Sequence, residues 1–281
     1  MPELPEVECL RQTLLPHLVG QRVITVQVHR ADICECFNAA GRIVPARPAH
    51  LLKGDAIHAI TRKGKQLAIS GVSGGTICVH LGMTGSLLVL PSRPTPRAPH
   101  THITWTLANG SILEFRDPRR FGGLWTFPAH ALLHTLRWNN LGPDGLEVTG
   151  DRLHAALRAS TRMVKAALLD QSIVAGVGNI YADEALFLSK IDPRTRCTQL
   201  GGHHWKSLAR AVRDILAAAI TAGGSTIRDY RNADGAQGAA QTSHRVYGRA
   251  GQPCLQCGQA LQSGTIAQRT TVWCGSCQPA P

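Results

Sequence analysis

The apolar positions of this chain change their period twice. Residues 7–19 (VECLRQTLLPHLV) carry apolar side chains at near-helical spacing, which predicts a helix that Pro16 ends or bends. From Val23 to about Phe127 the pattern shifts to short β-branched or alternating runs: Val23–Val28, Ala56–Ile60, Gln66–Ser70, Thr76–Leu81, Ser86–Leu90, His102–Leu107, Ile112–Arg116 and Leu124–Phe127. Gly, Pro or Asn-Gly turns separate them, and eight strands in series predict a β-sandwich or barrel. The stretch 91–100 (PSRPTPRAPH), with four prolines and two arginines, predicts an exposed loop between strands. Beyond Trp138 the period becomes helical, over 151–159, 163–171, 179–190 and 204–222, with the glycine turn Ala175–Asn179 before the third helix. Residues 223–243 form a polar Gly/Ala-rich loop too long for an idle connector.

Length and composition sharpen this picture. At 281 residues two domains are expected, and 43% apolar with 17% charged residues excludes a disordered, collagenous or coiled-coil chain. No run of about 18 apolar residues occurs, and the acidic start MPELPE does not have the basic-then-apolar order of a signal peptide, so a cytosolic protein with no membrane partner is expected. The formal charge of +12 favours a polyanion, nucleic acid first and a membrane surface second.

The nine cysteines are of two kinds. Cys9, Cys34, Cys36, Cys78 and Cys197 follow no spacing and read as buried thiols. Cys254-x2-Cys257 and Cys274-x2-Cys277, sixteen residues apart, have the spacing of a four-cysteine zinc site, with paired disulfides or an iron–sulfur cluster as alternatives. Four protein ligands leave no open position, so one structural Zn2+ is expected.

The first residues also offer chemistry. Removal of Met1 would leave Pro2 as a secondary amine, titrating near the α-amino range and able to attack an aldehydic carbon to form a Schiff base. Glu3 and Glu6 could move protons beside it; read without context, the same residues are an inert Pro/Glu-rich tail. Arg62, Lys63 and Lys65 alone read as a solvated basic turn, and Met83 and Phe121 as core residues.

Taken in order, PELPEVE (2–8), HLGMTGSL (80–87), DPRRFGGLW (117–125), GVGNIYADEALF (176–187), VYGRAGQPC (246–254) and the four-cysteine ribbon resemble bacterial formamidopyrimidine-DNA glycosylase over essentially the whole chain. PELPE and the PRRFG string set it nearer that branch than endonuclease VIII. The resemblance implies an α+β fold: an N-terminal β-sandwich flanked by helices, a helical helix-two-turn-helix module and a C-terminal zinc ribbon. The expected domains are 1–137, catalytic, and 138–281, comprising the helical module (about 150–222), a lesion loop (about 223–243) and the ribbon (about 244–281), with damaged double-stranded DNA bound in the cleft between them and the protein a monomer in the bacterial cytoplasm, associated with the nucleoid.

By the same resemblance Pro2 is the nucleophile at C1′, Glu3 the acid/base at the deoxyribose, Glu6 its hydrogen-bonding support, and Lys65 a contact to the damaged base or a phosphate. Met83, Arg119 and Phe121 fill the space left by an extruded base. His80, Asn179, Tyr247 and Arg269 contact phosphates. The implied activity is excision of oxidised or ring-opened purines followed by β,δ-elimination, with an oxidised-pyrimidine or abasic-site preference, or a non-catalytic DNA-binding homologue, as alternatives. Two departures bear on substrate: Gly238-Ala239-Ala240 stands where the family often has Gly-Tyr-Phe at the loop tip, and Arg228 stands in place of a lysine.

Overall fold

A computed structural model describes residues 1–227 and 229–280, so Arg228 lies outside the described residues. The chain divides into two units, Met1–Asn140 with Gly223–Gly238, and Leu141–Ala222 with Ala239–Pro281.

The first unit opens with helix α1 (Leu4–Leu18). Its stripe Val7, Leu10, Leu14 and Leu18 is fully buried, at the 3–4 residue spacing that places one face on a core. Pro16 lies in the helix without ending it. Ten strands follow where the periodicity predicts eight. β1 (Val23–Val28), β7 (Ser86–Leu90), β8 (Thr101–Leu107) and β9 (Ile112–Arg116) form an antiparallel sheet in the order β1-β8-β9-β7. β2 (Cys34–Phe37), β3 (Ile43–Val44), β4 (Ile57–Lys63), β5 (Gln66–Gly71), β6 (Thr76–His80) and β10 (Gly123–Phe127) form the other, β3-β2-β10-β6-β5-β4. β2 pairs with β10 in parallel, and its two cysteines are buried. Inward residues of both sheets, including Phe115, Ile103, Leu67 and Leu124, make one core with the α1 stripe. Helix α2 (His130–Leu136), which the periodicity does not predict, packs against β10 and β6.

Residues 223–238 pack with this unit although they follow the helical module in sequence. Their attachments are specific: Ala233 N–H donates to Thr13 Oγ1 (3.2 Å), Val89 N–H to Ala233 O (2.9 Å), and His17 Nε2 lies 2.8 Å from Asp234 Oδ1.

The second unit holds α3 (Gly150–Leu157), α4 (Val164–Leu168), α5 (Asn179–Leu188) and α6 (Gly202–Thr221), then the hairpin β11 (Gln262–Ile266) and β12 (Arg269–Trp273). Thr149 caps α3 by accepting from Arg152 N–H. α3 crosses α6 closely at Gly150, where a Cβ would stand 2.5 Å from Lys206 Cα. Among the described residues no helix is long and apolar enough to cross a membrane.

Candidate active site and DNA-contact residues

The N-terminus is organised by one carboxylate. Pro2 and Glu3 are buried just ahead of α1, with Glu3 at the N-cap. Glu6, 1% exposed, turns back: its Oε2 accepts from Glu3 N–H and its Oε1 from Ser225 N–H, both at 2.7 Å. Charge-assisted bonds of this length are strong, and they occupy both oxygens, so Glu6 holds residue 3 and the 223–238 loop together. Gly224 permits the approach, having φ +82° and leaving only 3.2 Å between a would-be Cβ and Glu6 Cγ. Tyr230 and Cys9 lie behind this carboxylate: burial, then the charge of Glu6, pushes Cys9 up to about 12, and burial, then Cys9 and Glu6, pushes Tyr230 up.

The basic turn is not solvated. Arg62 pairs with Glu8 (3.0 Å), which also takes Arg11 (2.6 Å), while Lys63 Nζ donates to Trp138 O (2.8 Å). Lys65 is 7% exposed on the β4–β5 turn, where Gly64 takes φ +56°. Burial, then the positive charges of Lys65 and Arg137, hold His80 down at about 4, so its ring is neutral at physiological pH. Gly82 N–H donates to His80 Nδ1 (3.3 Å), which leaves the proton on Nε2 as a donor.

Met83, Arg119 and Phe121 are exposed rather than in the core, with Phe121 at 55%. The Arg119 guanidinium stacks 4.5 Å over the Phe121 ring. Both are presented by Asp117, a fully buried carboxylate that the motif contains but whose role the motif alone does not disclose. Its Oδ1 accepts from Thr84 Oγ1 (2.5 Å) and Arg119 N–H (3.3 Å), its Oδ2 from Gly122 N–H (2.7 Å), and its carbonyl lies 2.8 Å from His102 Nε2. The 81–85 and 117–122 loops touch so closely at Gly82 that a Cβ there would stand 2.2 Å from Phe121 C.

The expected loop tip is a neck. Gly238 N–H donates to Thr226 Oγ1 (2.9 Å), Thr226 Oγ1 donates to Tyr230 O (3.2 Å), and a Cβ on Gly238 would meet Gly224 O at 2.0 Å. The turn at the far end is Asn232–Gly235, closed by Gly235 N–H to Asn232 O.

In the second unit Asn179 begins α5 after Gly178 at the N-cap. The Gly176 N–H is already taken by Gln171 Oε1 (3.0 Å), so it is not among the amides open to an anion. Asn179 Nδ2 donates to Thr270 O (3.0 Å), tying the helix start to the hairpin that carries Arg269, exposed. Beneath lies a pair that spacing does not reveal: Lys165, fully buried, whose Nζ is 2.7 Å from Asp183 Oδ1 and donates to Thr270 O (3.1 Å) and Thr271 Oγ1 (2.8 Å). Asp183 Oδ2 accepts from Val272 N–H (3.1 Å). Burial pushes its carboxyl up to about 6 against the pull of Lys165. Glu184 grips the next segment by accepting from the N–H groups of Arg245, Val246 and Tyr247, which sets Tyr247.

The sulfurs of Cys254, Cys257, Cys274 and Cys277 all lie within 4.8 Å of one another. Two of the separations are 4.0 Å (Cys254–Cys277) and 3.5 Å (Cys257–Cys274). A disulfide needs about 2.05 Å. A tetrahedron with metal–sulfur bonds of about 2.3 Å has edges of about 3.8 Å, which these separations fit. The surrounding cluster, Phe187, Val246, Leu261 and Val272, is small.

Comparison with known proteins agrees along the chain. Residues 1–124 match the model of the formamidopyrimidine-DNA glycosylase N-terminal domain, and residues 141–231 that of its H2TH domain. Formamidopyrimidine-DNA glycosylase of Xanthomonas oryzae pv. oryzae (strain PXO99A) is 46% identical over 283 residues, covering 99% of this chain and all of that one. Among solved structures, MutM (Fpg) of Thermus thermophilus superposes with TM-score 0.85 at 37% identity, covering 99% of this chain and 98% of the other. Lactococcus lactis Fpg in complex with abasic-site DNA does so with TM-score 0.87 at 33% identity, covering 99% and 100%. With both domain models in register and this identity at full length, the chain belongs to the formamidopyrimidine-DNA glycosylase family of DNA repair enzymes.

Proposed function

We propose that this chain is a bifunctional DNA glycosylase and abasic-site lyase acting on oxidised or ring-opened purines in duplex DNA. The observation that carries the reading is the N-terminus: Pro2 buried beside Glu3, with Glu3 fixed through its amide by Glu6. Once Met1 is removed, the Pro2 nitrogen has a lone pair to donate to C1′, and the bond from C1′ to the damaged base breaks as the base takes up a proton. The C1′–O4′ bond then opens, with O4′ taking a proton from Glu3, and the iminium so formed between Pro2 N and C1′ acidifies C2′. Loss of that proton breaks the C3′–O bond, and a second elimination breaks the C5′–O bond, a phosphate leaving each time. Glu3 moves protons at the sugar, Glu6 positions it, and Lys65 contacts the base or its phosphate. Met83, Arg119 and Phe121 occupy the vacated stack, and neutral His80, Asn179, Tyr247 and Arg269 hold phosphates.

The four cysteines suit Zn2+, which when bound would stiffen a ribbon with little core of its own and keep Arg269 in place. Abasic-site DNA in the Lactococcus lactis relative supports damaged duplex as the partner. The absence of a ring at the exposed Ala239 favours a second reading of the substrate, in which abasic or oxidised-pyrimidine sites outrank intact oxidised purines; Ala240 is buried and offers no such position.

Borohydride trapping tests the reaction. A covalent adduct with damaged duplex is expected when intact mass shows Met1 absent. Full activity with Met1 retained would refute the covalent route, because an acylated proline nitrogen cannot attack.

A further inference from the structure

The Pro/Arg-rich segment 91–100 has no part in the reading above. It leaves β7 at Leu90 and rejoins the sheet at Thr101, where β8 pairs with Arg116 of β9. Between this strap and the β1-β8-β9 face lies a recess of about 340 Å³, lined by Gln27, His29, Thr104 and Glu114 from the sheet and by Arg93 and Arg97 from the strap. Arg97 Nη1 is 2.8 Å from His29 Nδ1, and His29 Nε2 is 3.1 Å from Thr104 Oγ1. A guanidinium can only donate, so Nδ1 accepts and the imidazole is neutral, with its own N–H directed to Thr104. Arg93 Nη2 donates to Gln27 Oε1. The one carboxylate lining the recess, Glu114, is already engaged by Arg116 through Nε (2.8 Å) and Nη2 (2.6 Å). Neither Arg93 nor Arg97 has a carboxylate partner among the described residues. Two guanidinium forks thus face a polar floor whose own negative charge is compensated.

We propose that this recess binds a phosphate-type oxyanion. The inference is independent of the glycosylase reading. A carboxylate presents two oxygens and satisfies one fork, whereas a phosphate presents enough oxygens to accept from both arginines and still take a bond from the floor. The strap is pre-shaped for it: Pro94 and Pro96 flank the segment between the arginines, and Pro99 follows, restricting backbone freedom that binding would otherwise have to remove. Burial, followed by the nearby charges of Arg97 and Arg93, holds His29 below its ordinary range, with Glu114 opposing that shift.

The source of the phosphate, a free phosphorylated metabolite or a nucleic-acid backbone, is separable by experiment. The full chain is titrated with sodium pyrophosphate at constant ionic strength while the His29 ring signal is followed by NMR. A saturable shift is expected, weakened at least tenfold by Arg97→Ala and by Arg93→Ala, both exposed positions whose loss leaves the fold intact. No saturable shift, or equal affinity in wild type and both variants, overturns the proposal. Where the shift is found, duplex binding is measured against salt in the Arg93→Ala/Arg97→Ala variant. A slope reduced by about one to two phosphates identifies a nucleic-acid source. An unchanged slope identifies a free phosphorylated ligand.

Discussion

Replacing Lys165 by Met removes a charge from the interior of the second unit while nearly keeping its volume. In the wild type the ammonium has three oxygen partners, Asp183 Oδ1, Thr270 O and Thr271 Oγ1. Methionine satisfies none, and it strands a buried carboxylate whose remaining donor is Val272 N–H. Removing one member of a buried pair costs about 3–5 kcal/mol. At about 1.4 kcal/mol per tenfold, a cost near 4 kcal/mol is roughly three decades in the opening equilibrium. Native-state hydrogen exchange on the metal-loaded chain reads this locally, because the Val272 amide reports on the Asp183 side of the pair. Its protection should fall about a thousandfold.

The pH dependence follows from the carboxyl at about 6. A folded value above the unfolded one of about 3.9 means that the folded state binds more protons between them, so stability from this group falls as pH rises through that window. Without Lys165 the folded value rises further, and Lys165→Met should be less destabilising at pH 5 than at pH 7.5. Lys165→Met/Asp183→Asn, which removes the stranded charge, should recover part of the loss. A loss of protection below tenfold, or strict additivity in the double variant, would refute the assignment of the pair as the element joining α4, α5 and the hairpin.

Gly224→Ala combines a left-handed backbone with a Cβ 3.2 Å from Glu6, a strain of about 1–2 kcal/mol, and should lower kcat/KM about tenfold on abasic and base-bearing duplexes alike; a loss confined to the latter would show that Gly224 does not act through Glu6. Because His80 is held at about 4, His80→Ala should leave the salt slope of DNA binding unchanged from pH 7.5 to 5.5, and a changed slope would mean that a charged imidazole binds phosphate. The same depression means that the unfolded chain binds more protons between about 4 and 6.5, so the stability contributed by His80 is lost on acidification through that range. Cys274→Ser should weaken damaged-duplex binding at least tenfold with the first unit intact by hydrogen exchange, and unchanged affinity with metal absent would remove Arg269 from the interface. Abasic duplex should be cut faster than one carrying 8-oxoguanine, with Ala239→Tyr, at an exposed position, narrowing the ratio; equal rates in the wild type, with no gain in the variant, would end the argument from the missing ring.

What the sequence shows and what it conceals divide along physical lines. Alternation marked most strands of the sandwich, the paired CxxC spacing marked the thiolate cluster, and ordered motifs marked the exposed Met83, Arg119 and Phe121 against a core placement. β2 was hidden because Cys34-Glu35-Cys36-Phe37 has four residues and no β-branched side chain, and β3 because it has two. Buried charges were hidden for another reason. Asp117, Lys165, Asp183 and Glu184 look like surface residues in a one-dimensional pattern, and only their partners, up to 106 positions away, explain their burial. The attachment of 223–238 depends on bonds such as Ser225 to Glu6, 219 positions apart, which no local period encodes.

Asp117 also bears on entropy. Fixing a residue's backbone costs about 1–2 kcal/mol, so a free loop spanning 118–121 would lose several kcal/mol on being ordered against a partner. Here Thr84, Arg119 and Gly122 are already bonded to one carboxylate, and the Arg119 and Phe121 side chains are stacked on each other. That ordering is met when the chain folds, not when it meets DNA. On the proposed reading the exposed guanidinium and ring would meet DNA as a rigid wedge, and the binding free energy they provide would be available to separate stacked bases instead of to freeze the loop.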